Sequence, residues 1–170
     1  MLKSKLTTKK NNLLDMLTQK VKELEQQTVE VGHFKEQGMH YSGYSYVELM
    51  ELHAFGDGVK LPARPMLAVA KSKLKRSIRR SKPVKKALEQ WARSKSRNAS
   101  SMVLEAVGET AAIMEKNIFG KTSAEIPANS PYTIAKKLGV KRNSPMKDTG
   151  SLKNKVAYRT SKRQSIREVR

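Results

Sequence analysis

Ala99-Ser-Ser-Met-Val-Leu-Glu-Ala-Val-Gly-Glu-Thr-Ala-Ala-Ile-Met-Glu-Lys-Asn-Ile-Phe119 is the stretch on which the reading of this chain turns. Met102, Val103, Ala106, Val107, Thr110, Ile113, Met114 and Ile118 recur at helical spacing and predict one core-facing side of a helix over about 99–119. Gly120 is a natural C-terminal stop. The reverse face is unusual, because Leu104, Gly108, Ala111 and Ala112 are small or apolar as well. A glycine inside a helix costs ~1 kcal/mol relative to alanine, a cost that is tolerable where another backbone packs close. A second packed surface is therefore expected on that face, within the chain or between subunits. Leu104, Gly108, Ala111 and Ala112, with Val69 and Tyr132, are the candidate subunit-interface residues.

On the N-terminal side, Leu13, Leu17, Val21 and Leu24 predict a helix over about 12–27, with Asn12 as N-cap and Asp15 in its first turn. Thr28 to Phe34 alternates with period two and predicts a strand. Residues 36–45 are Gly-, Ser- and Tyr-rich and read as an exposed loop. Tyr46 to about Phe55 reads as a short helix ended by Gly56-Asp-Gly58, with His53 at its core edge. Leu61-Pro-Ala-Arg-Pro65 must be extended, since each proline disfavours helical geometry in the residue before it. Met66, Leu67, Ala70, Leu74 and Ile78 then fall within an arc of about 120° on a helix over about 66–81, with a basic arc opposite. Val69 breaks the pattern, an apolar residue on the basic side. Pro83 should kink or restart this helix, with Ser81 as a cap.

On the C-terminal side, Pro131, Gly139, Pro145, Asp148 and Gly150 punctuate a long loop over 130–150, which reads as an interaction loop. Leu152 to Thr160 alternates apolar and polar residues, and Gln164–Val169 is placed to pair back on it through a turn near 161–163, a C-terminal hairpin over 151–170. The fold class is α+β in a single domain over 1–170. A small antiparallel sheet, made of an N-terminal strand plus the C-terminal hairpin, is packed by two long helices, with an extra N-terminal helix and long loops.

The 170 residues carry a formal net charge of +20. Two blocks hold it. Residues 71–97 have twelve Lys/Arg against one acid, and residues 136–170 have twelve against two, while the rest of the chain is close to neutral. Such blocks favour a polyanion or an acidic partner. Lys73, Arg76, Arg79, Arg80, Lys136 and Lys137 are the candidate contacts. Aromatics are only 5% of the chain, and Tyr41, Tyr44 and Tyr46 lie away from the basic blocks. Contact with nucleic acid would therefore be electrostatic, without the interleaved stacking that base recognition uses. The absence of cysteine excludes disulfides and Cys-based zinc sites, and fits folding in a reducing compartment. No apolar run approaches the ~20 residues that span a bilayer, and no secretion signal follows Met1-Leu-Lys-Ser-Lys5.

Catalytic vocabulary is sparse. Gly120-Lys-Thr122 resembles the end of a phosphate-binding loop, but Glu115 stands where the motif's first glycine belongs and the preceding residues read as helix. His33, His40 and His53 are widely spaced and show no pattern of convergent metal ligands. No serine sits in a nucleophile-elbow context. The expectation is a non-enzymatic protein with no metal, cofactor or small-molecule substrate.

Four segments in order carry a family resemblance: Val29-Glu-Val-Gly32; Tyr46-Val-Glu-Leu-Met-Glu-Leu-His-Ala-Phe-Gly56 running into Leu61-Pro-Ala-Arg-Pro-Met-Leu67; Ser130-Pro-Tyr-Thr-Ile-Ala-Lys-Lys137; and Ser144-Pro-Met-Lys-Asp-Thr-Gly-Ser-Leu152. Over roughly 29–160 they resemble the tail-completion (head–tail joining, neck) proteins of tailed bacteriophages. The family pattern departs here at His53-Ala54, where Asn-Glu is usual, and at Met66, where phenylalanine is usual. Its inter-proline arginine corresponds to Arg64, and its turn aspartate and glycine to Asp148 and Gly150, all architectural. The resemblance implies a structural virion protein in a homo-oligomeric, commonly hexameric ring. The ring would lie between the head's portal/adaptor complex and the tail tube or tail terminator, assembled in the host cytoplasm and able to touch genomic DNA. The alternatives are a non-specific nucleic-acid-binding protein, a tail terminator or another minor tail protein. A closed ring of chains each carrying +20 repels itself unless anions or acidic partners lie against it.

Overall fold

The structure, a computed structural model, describes residues 2–58, 60–94, 96, 99–136, 144–146 and 150–169, with side chains from residue 13 onward. In chain order the elements are α1 (Leu2–Glu25), β1 (Val29–Gly32), α2 (Tyr46–Phe55), α3 (Met66–Arg80), α4 (Lys82–Arg93), α5 (Ala99–Lys116), α6 (Pro131–Lys136), α7 (Ser151–Asn154), β2 (Ala157–Thr160) and β3 (Arg163–Glu168). The fold is α+β, with a three-stranded antiparallel sheet in the order β1-β2-β3. Val31 faces Tyr158 across the first pair and Ala157 faces Glu168 across the second. The turn between β2 and β3 is tied to β1's start: the Ser161 N–H donates to the Thr28 carbonyl at 2.9 Å.

Helix α5 is the centre of the molecule, touched by α3, α4, β1 and β2. The chain's own elements cover its small-residue face. Leu104, Gly108, Ala111 and Ala112 are buried, Ala112 completely, and Val69 of α3 is buried too. These candidates for a subunit interface therefore pack inside the chain. The physical reason is size: small side chains let the sheet approach α5 closely, and the Tyr158 ring lies over Gly108. The opposite face, expected to be the core, is partly open. Met102 and Ile113 are 41% and 42% exposed. A helix surrounded by four elements buries nearly every face, so the stripe of largest apolar residues does not mark the core by itself.

One helical expectation moves at its edge. α1 begins at Leu2, so Asn12 lies inside it and is not its N-cap. Residues 2–11 contain no glycine or proline to stop the helix. Among the described side chains of α1, docking is concentrated at its end. Leu24 packs on the cluster of Ala87, Trp91, Ala99 and Val103, while Leu13, Leu14 and Val21 stay exposed. Lys20 Nζ donates to the carbonyls of Trp91, Ala92 and Ser94, placing a cation where α4's last carbonyls lack helical partners.

The α3–α4 junction follows the expected chemistry. α3 stops at Arg80, and Ser81 caps α4 by accepting the Val84 N–H at 3.4 Å, with Pro83 in the first turn. Ser45 and Glu48 form a reciprocal capping box at the start of α2.

The C-terminal segment differs from expectation. Ser151–Asn154 is helical, and the strand starts only at Ala157. Leu152 and Val156, both buried, are spaced by four, so the same residues satisfy a helical turn as well as alternation. The long loop also contains helix α6, where Ser130 Oγ accepts the Thr133 N–H at 3.2 Å. Among the described residues no helix is long and apolar enough to cross a membrane.

Candidate functional site

The exposed basic face of α3 and α4 is built by proline and packing. Pro62 and Pro65 hold the approach extended, and α3 starts at Met66 with Met66, Val69 and Ala70 turned into the core. That leaves Lys71, Lys73, Lys75, Arg76, Arg79 and Arg80 exposed on a helix with no acid in it. α4 buries Val84, Ala87 and Trp91 and exposes Lys82, Lys85, Lys86 and Arg93, with Glu89 its single acid. None of these ten cations takes part in the ion pairs formed among the described residues. Glu125 lies near enough to Lys73 to feel its charge. The sequence placed Lys73, Arg76, Arg79 and Arg80 here, and all four are exposed.

The ion pairs instead lock the sheet edge. Glu105 of α5 receives Arg163 and Arg167 of β3 at 3.0 and 3.3 Å. Arg159 of β2 reaches Glu30 at 2.6 Å and Glu36 at 3.2 Å. The second basic block in the sequence is thus partly neutralised within the fold. Lys136 is exposed on α6, with Nζ 4.4 Å from the ring centroid of Tyr132, itself exposed. Lys137 and Asp148 lie outside the described residues.

The segments of the family resemblance that hold His53, Arg64 and Ser144 are linked at Arg64. Its backbone N–H donates to the His53 carbonyl at 2.7 Å, tying it to α2. Its guanidinium is only 4% exposed for the whole residue and donates from Nε to the Pro127 carbonyl and from Nη2 to the Ala128 carbonyl and Asn129 Oδ1. Asn129 Nδ2 in turn donates to the Ser144 carbonyl at 3.2 Å. Arg64 is therefore a buried clamp that joins α2 to residues 127–129 and, through Asn129, to Ser144. Gly150 adopts the left-handed conformation, φ 84°, directly before α7.

Histidines complete this seam, and sequence reasoning gave them no shared role. His33 Nε2 bonds the Leu152 carbonyl at 2.8 Å, and His40 Nε2 bonds Ser151 Oγ at 2.9 Å. His33 stacks on Tyr46 with 6.4 Å between ring centroids. Burial lowers the His33 pKa, and burial followed by the charge of Arg64 lowers that of His53 to about 4. Glu115, 2% exposed on α5, is pushed up to about 7 by burial. In the sequence only its place directly after the apolar run Ala111–Met114 hints at burial. Among the described residues no three His, Asp or Glu side chains converge to hold a metal ion.

No protein-family model matches this chain, and no curated protein or solved structure is significantly similar to it.

Proposed function

We propose that this chain is a structural building block of a bacteriophage neck, a ring component joining the head's portal or adaptor complex to the tail tube, with the α3–α4 face laid against DNA or an acidic neighbour. The observation that carries this reading is the run of ten exposed cations on α3 and α4 opposed by one acid within those helices. Surplus charge of one sign costs self-repulsion, which a polyanion or acidic partner relieves. Three further features support it. The resembling segments that hold His53, Arg64 and Ser144 are joined through Arg64 and Asn129. Helix α1 leaves Leu13, Leu14 and Val21 exposed, apolar area of the kind an assembly covers. Tyr132 is exposed on the loop expected to mediate contacts. In this reading no bond is made or broken on the chain, and the protein resides in the virion.

The test pairs assembly with salt dependence. Native mass spectrometry and negative-stain microscopy of the purified protein, alone and with tail or portal partners, should show rings or co-assembly. DNA mobility shifts should be weak at physiological salt and steeply salt-dependent, each neutralised phosphate contributing about 0.9 to the log–log slope. The triple reversal of Arg76, Arg79 and Arg80 to glutamate should lower that slope by roughly three units while leaving the fold intact. A compact monomer that shifts DNA tightly at physiological salt and never joins a particle would defeat the neck reading and leave a general nucleic-acid-binding protein.

A further inference from the structure

A cleft of about 260 Å³ opens beside Arg64, between the end of α2, the loop at 40–42, the segment at 60–64 and the residues flanking α6 and α7. Its charged lining among the described residues is Lys60 and Arg64, with no carboxylate. The nearest acid in the same turn, Asp57, accepts the Lys60 and Leu61 N–H groups with Oδ1, both at 2.7 Å. Arg64 spends Nε and Nη2 on neutral acceptors, and Nη1 has no acceptor among the described residues. A largely buried guanidinium without a counter-charge among the described residues is costly, and an anion at Nη1 offsets that cost. Leu49, Leu61, Met146 and Leu152 give the cleft apolar walls.

We propose that this cleft is a docking site for an acidic side chain of a partner protein, the carboxylate meeting Arg64 with Lys60 at the rim and an adjacent apolar residue filling the walls. Charge and wall chemistry together indicate the ligand class. At about 260 Å³ the cleft lies just below the ~300–1,000 Å³ of drug-sized sites and takes one or two residues. Nη1 keeps its N–H donors, enough for a charge-assisted contact to one carboxylate oxygen. The exposed α3–α4 cations suit a phosphate backbone, whereas this recessed, half-apolar cleft does not. The site would bind such a segment whether or not the chain builds a ring. His53 lines the same cleft, with Nδ1 lacking a hydrogen-bond partner in the structure. It reports occupancy, since a carboxylate lodged nearby favours its charged form.

The experiment is an NMR titration of the full chain, reading the Arg64 Nε–H and His53 ring signals. The probes are N-acetyl-leucyl-aspartyl amide, its asparaginyl counterpart and inorganic phosphate. The aspartyl peptide is expected to shift both signals with a Kd on the order of 1 mM and to raise the His53 pKa above its resting value of about 4. The asparaginyl peptide should bind at least roughly tenfold more weakly. Arg64→Lys is at risk of misfolding, so Lys60→Glu, on an exposed residue, is the second variant. It should weaken the aspartyl peptide by a similar factor with the thermal midpoint unchanged. Equal binding of both peptides, no shift from either, or phosphate displacing the aspartyl peptide at equal concentration would each overturn the proposal. Failure of ring assembly alone would leave these outcomes unaffected.

Discussion

A Cβ placed on Gly108 would stand 2.3 Å from Cδ2 of Tyr158, and 2.8 Å from its Cγ. The glycine in the middle of α5 is therefore the socket for the central strand's aromatic ring. Gly108→Ala gains up to ~1 kcal/mol of helix propensity but must displace the ring at its base, and overpacking of this kind costs ~1–3 kcal/mol. We expect a lower urea midpoint, with Gly108→Leu worse. Tyr158→Leu should restore much of the loss in the double mutant, as residues in contact couple. Loss of assembly with the isolated chain's stability unchanged would contradict the intra-chain socket.

Arg64 holds three acceptors of the 127–129 segment through one guanidinium. Hydrogen bonds to charged groups contribute ~1.5–3 kcal/mol each and are not additive. Arg64→Ala should destabilise the chain by about 2–4 kcal/mol and make residues 121–136 the first protease cleavage region. Arg64→Lys should recover little, because a single ammonium cannot replace the planar fork. Equal protease resistance of wild type and Arg64→Ala would rule out the clamp.

Glu115 and His53 drive stability in opposite directions with pH. Glu115 binds its proton more tightly folded than unfolded, between 4.5 and about 7. Stability from this group is complete below 4.5 and is lost as pH rises through about 7. Glu115→Gln should thus stabilise the protein by up to roughly 3 kcal/mol at about pH 8, with the difference fading in acid. His53 binds its proton less tightly folded, between 6.5 and about 4, so its contribution is lost as pH falls through that window. His53→Gln should flatten the acid side of the profile. Thermal midpoints of the three proteins from about pH 4 to 8 separate the two effects. A Glu115→Gln advantage that is constant across pH would remove burial of the charge as its cause.

Ser81 serves two helices at once. Its Oγ accepts the Val84 N–H and bonds Thr110 Oγ1 of α5 at 2.9 Å. Ser81→Ala should cost ~1 kcal/mol from the lost cap, read as a lower thermal midpoint. Ser81→Asp should retain the cap, and an equal loss in both variants would assign the effect to the Thr110 bond.

Several elements were legible because local chemistry specifies them. Gly56, with φ 71° and a would-be Cβ 2.4 Å from the Leu61 carbonyl oxygen, ends α2 where a glycine is required. Ser81 and Pro83 divide α3 from α4 through capping and a missing N–H. The basic arc of α3 followed from helical spacing alone. α7 was not legible, since Leu152 and Val156 fit two periodicities and Gly150's turn chooses between them. The candidate site was read only as scattered architectural residues. Nothing in their order says that the Arg64 fork reaches the Pro127 and Ala128 carbonyls, or that His33 and His40 hold α7.

The amino-acid order by itself determined the α+β class, the strands that pair, most helix limits and the concentration of positive charge on α3 and α4, because these depend on contacts a few residues apart and on composition. The tertiary structure alone decided which side of α5 is the core, which arginines are neutralised and where the cleft opens. Those outcomes depend on how closely distant segments approach, and Gly108 beneath Tyr158 and Arg163 beside Glu105 become neighbours only when the sheet closes over the helix.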